Sequence, residues 1–135
     1  MQERYYTDDK NTLILLSLLK AHGIKKVIAS PGTTNIALVA SMMIDPWFEM
    51  YSSVDERSAC YMACGMASES REPVVLTCTG ATASRNYLPG LTEAYYRNLP
   101  ILAITGSHGE DYIGHLHAQS MDRTQAPKDT VVFSS

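Results

Sequence analysis

Basic residues are scarce in this chain, 11 Lys and Arg against 14 Asp and Glu, for a formal net charge of −3. No cluster of them interleaves with aromatic residues, so a nucleic-acid backbone is excluded as the expected partner. Long apolar runs are missing as well. None approaches the roughly 20 residues needed to cross a bilayer, and the opening MQERYYTDDKN has no signal-peptide core. Both absences point to a cytoplasmic protein with no membrane partner. Cysteine is limited to Cys60, Cys64 and Cys78. An odd number without CxxC spacing argues for reduced, structural thiols and against a disulfide framework or a metal knot. Neither GxGxxG nor GxxxxGK[ST] occurs, so a dinucleotide or nucleoside triphosphate held wholly by this chain has no signature. Internal repeats, low-complexity tracts and linkers are absent too.

What is there suits one packed domain. The 135 residues are 45% hydrophobic and 19% charged, which is enough to bury a core and too apolar for disorder. Asp9 or Asn11 starts a helix carrying Leu13, Ile14, Leu15, Leu16, Leu18 and Leu19, which stops at His22-Gly23. Its apolar residues wrap most of the circumference, so more than one face should be covered. Lys26 to Ala29 reads as a buried strand, Thr34 to Ile44 as a helix, and Phe48 to Ser52 as a second strand. A helix of small residues follows from Glu56 to Ser68. Val74 to Cys78 is a continuous apolar strand of the kind covered on both faces. Another helical stretch carries Leu88, Leu91, Ala94 and Tyr95, with Pro89-Gly90 expected to kink or interrupt it. Pro100 to Thr105 makes the fourth strand. Alternating strands and helices predict a three-layer α/β sandwich around a mainly parallel central sheet.

Ligands of such sheets sit beyond the carboxyl ends of the strands. Here those ends are Ser30-Pro31-Gly32, Ser53 to Glu56, Thr79-Gly80-Ala81 and Gly106-Ser107-His108, four loops sharing one rim. The acidic pair Asp55-Glu56 stands on it. Locally, Ser53-x-x-Glu56 matches a capping box, and acids in a first turn suit the helix dipole. Behind the pair, Ser58, Ala59, Cys60, Ala63, Cys64, Gly65, Ala67 and Ser68 let another backbone approach closely. Gly65 costs a helix about 1 kcal/mol relative to Ala, so close packing against a partner helix is expected to compensate.

Ser30-Pro31-Gly32, Val54-Asp55-Glu56-Arg57-Ser58-Ala59, Cys78-Thr79-Gly80, and Asn86 before Leu88-Pro89-Gly90-Leu91-Thr92-Glu93-Ala94 together resemble the pyrimidine-binding (PYR) domain of thiamine diphosphate enzymes. The likeness is to acetolactate synthases and related 2-oxo acid decarboxylases, with a second likeness to the menaquinone-pathway carboligase, and it spans about Asn11 to Lys128. It implies that Glu56 is the glutamate that hydrogen-bonds N1′ of the aminopyrimidine. The activity implied is decarboxylation of a 2-oxo acid, or ligation of the resulting carbanion. The resemblance also implies cofactor-binding roles for Pro31, Gly32, Gly80 and Asn86, and makes Gln119 a substrate-side candidate. Asp55 then becomes the better helix cap.

Some features depart from that pattern. Thr79 to Arg85 displaces the glycine of the family turn and puts Arg85 beside Asn86. His115-Leu116-His117 is more basic than the family loop, and two such His without a third ligand read as solvent-exposed rather than metal-binding. The family holds the cofactor's diphosphate through Mg²⁺ in a separate diphosphate-binding (PP) domain marked by Gly-Asp-Gly and Asn-Asn, and neither occurs here. Residues 1–135 are therefore expected to be a single PYR-like domain that ends early, at the strand-like Val131 to Ser135, and needs a PP domain or subunit. A homo-oligomer through the small-residue helix is also expected. The rival reading is a non-catalytic α/β binding or assembly module that retains the fold.

Overall fold

A computed structural model of the chain describes residues 6–80, 82–118, 120 and 126–134. Helix α1, Lys10–Ala21, starts at Asp9, whose carboxylate accepts a 2.7 Å hydrogen bond from the Thr12 N–H. Strand β1, Lys26–Ala29, leads through a 3-10 turn at Thr33–Asn35 into α2, Ile36–Ile44. Strand β2, Glu49–Ser52, is followed by α3, Glu56–Ser70, and β3, Val74–Cys78. Two helices come next, α4 at Thr82–Arg85 and α5 at Leu88–Tyr96, and then β4, Ile101–Thr105. The interruption expected at Pro89-Gly90 falls earlier, at Asn86-Tyr87, and Pro89-Gly90 lie within α5, with Pro89 in its first turn, where its missing N–H costs nothing.

The four strands are all parallel in the order β2-β1-β3-β4. Alternate side chains of the central strands feed two cores. Val27 and Val75 pack with Leu16 and Leu19 of α1 and Leu38 and Met42 of α2. Ile28, Val74, Leu76 and Cys78 pack with Ala59, Cys60 and Ala63 of α3 and Leu91 of α5. The result is the three-layer α/β sandwich expected from the sequence. From β1 the chain steps one way across the face covered by α2, and from β2 it returns across the face covered by α3. The direction of winding therefore reverses between β1 and β3.

Several packing expectations change. Only Leu16 and Leu19 of α1 are buried, and Leu13, Ile14 and Leu18 stay 39–51% exposed. The helix is covered on one face because α2 and the sheet meet it on that side alone. The close packing expected at Gly65 occurs instead at Gly90. A Cβ on Gly90 would lie 2.5 Å from Cys60 Sγ, whereas one on Gly65 would meet nothing within 4 Å. Within the chain, the face of α3 that carries Cys60 and Cys64 packs on α5, and Gly65 stands on the exposed face. All three cysteines are buried, and none forms a disulfide among the described residues. The segment from Val131 forms no strand among the described residues, and Val132 and Phe133 remain exposed.

Candidate functional site

Parallel strands bring all four C-terminal ends to one edge, and the loops leaving them are tied together across long stretches of sequence. After β1, the Ser30 hydroxyl donates to the Ser53 carbonyl beyond β2 at 2.7 Å. Asn35, which is 2% exposed, accepts from the Gly32 N–H at 2.8 Å and donates to the Ser30 carbonyl at 3.3 Å and the Thr77 hydroxyl at 3.2 Å. Its amide serves as the peg of the Pro31–Gly32 turn. The Thr34 hydroxyl donates to the Gly106 carbonyl beyond β4 at 3.1 Å. At that contact a Cβ on Gly106 would come within 2.2 Å of the Thr34 carbonyl oxygen, so only glycine lets the two loops meet.

The acidic pair divides its duties. Asp55 is the N-cap of α3, its carboxylate accepting from the Ser58 N–H at 2.7 Å, and Glu56 is the first helical residue. Hydrogen bonds from Ser58 hold the Asp55 carboxyl below its ordinary value. The capping box read at Ser53-x-x-Glu56 does not form, because Ser53 sends its hydroxyl to the Asp55 carbonyl, 3.0 Å away. Glu56 is half-buried on the rim, and its carboxylate has no hydrogen-bond or ion-pair partner among the described residues. Beneath the rim, burial first, and then Cys78, Cys60 and Glu56, push the Tyr87 phenol up.

A cavity of about 210 Å³ opens where the winding reverses. Thr33 and Thr34 after β1, Thr79 and Gly80 after β3, and Gly106, His108 and Ala118 after β4 line it. This is the switch-point crevice where open α/β sheets take ligands. Of the expected site residues, Gly80 lines the cavity. Gly32 is half-buried beside it in the turn, and Pro31 is exposed at the same rim. Glu56 stands apart, beyond β2. Asn86 lies past α4, half-buried, with its amide donating to the Thr82 carbonyl at 3.3 Å, and does not line the cavity. Gln119 lies outside the described residues.

Sequence reasoning missed Asn35 and the hydroxyls of Thr34 and Thr79. The available signal was a polar Asn immediately before the apolar Ile36-Ala37-Leu38-Val39, at an offset that lets it reach back to a turn glycine. His115 and His117 are exposed, as expected, and His117 joins His108 and Tyr112 in a ring cluster with centroids 4.6–6.3 Å apart. No group of three His, Cys, Asp or Glu among the described residues is placed to hold a metal ion.

The rim thus presents one free carboxylate, threonine hydroxyls, backbone groups and an imidazole. That set fits an uncharged heteroaromatic ring. It does not fit a diphosphate, since among the described residues no Lys or Arg lines the cavity and no metal-ligand cluster is at hand.

Comparison with known proteins bears on the same residues. The chain matches the family described as "Thiamine pyrophosphate enzyme, N-terminal TPP binding domain" over residues 11–126. The 2-succinyl-5-enolpyruvyl-6-hydroxy-3-cyclohexene-1-carboxylate synthase of Bacteroides thetaiotaomicron is 40% identical over 116 residues, covering 86% of this chain and 21% of that protein. The synthase of the same name from Porphyromonas gingivalis is 40% identical over 116 residues, 86% of this chain and 20% of that one. The chain therefore spans about a fifth of the length of these curated relatives. Neither is named an acetolactate synthase. Among solved structures, a Mycobacterium smegmatis protein described as thiamin diphosphate-dependent superposes with a TM-score of 0.77 at 25% identity, over 89% of this chain and 23% of that one. A thiamine diphosphate-dependent 4-hydroxybenzoylformate decarboxylase from Rhodococcus jostii RHA1 shares the fold, with a TM-score of 0.73 at 23% identity over 81% of this chain and 20% of its own.

Proposed function

Because the chain belongs to the thiamine pyrophosphate enzyme family, as its N-terminal TPP-binding domain, we propose that it supplies the pyrimidine side of a thiamine diphosphate site. The enzyme so formed decarboxylates a 2-oxo acid or joins what remains to a second carbonyl compound. The observation that carries this reading is the state of Glu56. With Asp55 capping α3, the Glu56 carboxylate stands uncommitted at the first helical position on the functional rim. A carboxyl so placed can share a proton with a ring nitrogen of the cofactor. On this reading the Pro31–Gly32 turn, pegged by Asn35, and Gly80 form the cofactor wall across the rim from Glu56, with Asn86 and Gln119 as the further cofactor-side and substrate-side contacts. When bound, thiamine diphosphate supplies the electron sink that a 2-oxo acid needs to lose CO₂.

The diphosphate and its Mg²⁺ belong, on this reading, to a PP domain or subunit that meets the rim, in a homo-oligomeric assembly. The uncharged lining of the cavity supports that division of labour. Replacing Glu56 by Gln in the assembled enzyme, a change that keeps shape and removes the proton-sharing carboxyl, should reduce turnover of a 2-oxo acid at least a hundredfold while assembly is unchanged. Turnover within twofold of wild type, with self-association independent of cofactor, would instead identify a non-catalytic assembly module.

A further inference from the structure

Tyr87 is the largest fully buried side chain described, 1% exposed, and its phenol oxygen has no hydrogen-bond partner among the described residues. A buried hydroxyl left in that state destabilises a fold, and its retention calls for a use. The ring packs in one core with Ala59 and Cys60 of α3 and with Cys78 at the end of β3. The Cys78 sulfur is only a weak acceptor, and its own proton lies on the Thr79 carbonyl at 3.1 Å. Cys60 stands four residues after Glu56, so the two share one face of α3 about 5.4 Å, a single turn, apart. The phenol therefore lies under the first turns of the helix that carries Glu56. Burial first, and then Cys78, Cys60 and Glu56, push the phenol up, which places the Glu56 carboxylate within its electrostatic reach.

Two complementary groups thus stand on neighbouring turns. Glu56 is a half-buried acceptor that no described residue serves, and the Ser58 N–H of the same first turn is already taken by Asp55. Tyr87 is a donor with no strong acceptor. While the rim is open, water satisfies the carboxylate. A ring laid against the rim displaces that water, and the carboxylate then needs a donor from the protein. The phenol O–H can turn about its C–O bond without moving the ring, and Glu56, at the end of its helix, has the longer and more adaptable side chain. We propose that Tyr87 is a positioning residue for Glu56, its phenol O–H holding the carboxylate, through at most one water, when the cofactor's ring covers the rim. The proposal rests on the thiamine diphosphate reading above.

The test uses the assembled holoenzyme containing this chain, as wild type, Tyr87→Phe, Glu56→Gln and the double variant. Tyr87→Phe should lower kcat for a 2-oxo acid about tenfold, the size of one hydrogen bond to a charged group. In the Glu56→Gln background the same change should cost less than about twofold, because the phenol acts only through the carboxylate. Without cofactor, Tyr87→Phe should melt at or above wild type, since it removes a hydroxyl that has no partner there. Crystals of the assembly with thiamine diphosphate should place Tyr87 Oη within about 3.2 Å of the Glu56 carboxylate, or both on one water. A kcat within twofold of wild type, an equal loss in both backgrounds, a lower melting point without cofactor, or a phenol and carboxylate that share neither contact nor water overturns the role of Tyr87. A hundredfold loss in Glu56→Gln would still leave the cofactor assignment standing in each of those cases. Turnover within twofold of wild type in Glu56→Gln removes both.

Discussion

Asn35 offers the sharpest test of how the rim is held. Its side chain is 2% exposed and makes three hydrogen bonds, to the Gly32 N–H, the Ser30 carbonyl and the Thr77 hydroxyl. Asn35→Ala removes all three and leaves the buried Ser30 carbonyl and Thr77 hydroxyl, and the half-buried Gly32 N–H, without that partner. At about 1 kcal/mol for each net bond, the expected cost is about 2–4 kcal/mol. With a urea slope of about 2 kcal/mol/M, the unfolding midpoint should fall by about 1–2 M. Asn35→Asp sharpens the question. The carboxylate can still accept from Gly32, but it points an oxygen at the Ser30 carbonyl where the amide donated, and it is buried. Burial raises its folded pKa above the unfolded value of about 4. The folded state then binds the proton more tightly, so Asn35→Asp is most stable relative to wild type below about pH 4 and loses that stability as pH rises through the folded pKa. Urea melts of both variants between pH 3.5 and 7.5 measure this. An alanine variant within 0.5 kcal/mol of wild type, or an aspartate variant whose deficit does not grow with pH, would refute the peg.

Further outcomes follow from contacts elsewhere. Gly90→Ala drives a methyl to 2.5 Å from Cys60 Sγ. Overpacking of about 1–3 kcal/mol should outweigh the roughly 1 kcal/mol gain in helix propensity, and the loss should shrink in a Cys60→Ala background, measured as a double-mutant cycle. Burial pushes the Asp45 carboxyl up, but Lys20, the Trp47 N–H and Tyr6 outweigh it, leaving the pKa below its ordinary value. The stability this contributes is present above about pH 4 and is lost as pH falls through the folded value. Acid denaturation of Asp45→Asn should therefore show a flatter limb below pH 4 than wild type.

Much of the architecture was legible because its signals are local and periodic. The unbroken Val74-Val75-Leu76-Thr77-Cys78 run announced a strand covered on both faces, and all five residues are buried. Asp55 was readable as the better cap once Glu56 had another role. Other features depend on partners distant in sequence. The uncovered side of α1 looked like core because hydropathy reports only that Ile14 and Leu18 are apolar, and the number of elements packing on them is a tertiary fact. The last turn of α3 runs past Ser68 to Ser70 and closes on Arg71 in the left-handed region, at φ 56°, without the glycine that usually marks such an end. Asn35 escaped because its meaning lies in Thr77, 42 residues away.

Those long-range ties also govern when the rim can form during folding. The bonds from Ser30 to Ser53, Asn35 to Thr77 and Thr34 to Gly106 span 23, 42 and 72 residues. Each requires a loop to close before it returns any stabilisation, and parallel pairing of this kind is slow for the same reason. On a ribosome, the turn after β1 emerges long before Gly106, so its last anchor arrives only when most of the domain has been synthesised. In the native state, the Gly32 amide, bonded to Asn35 in a half-buried turn, should exchange with solvent deuterium faster than the buried β3 amides, because breaking one side-chain bond frees it while the central strands stay paired.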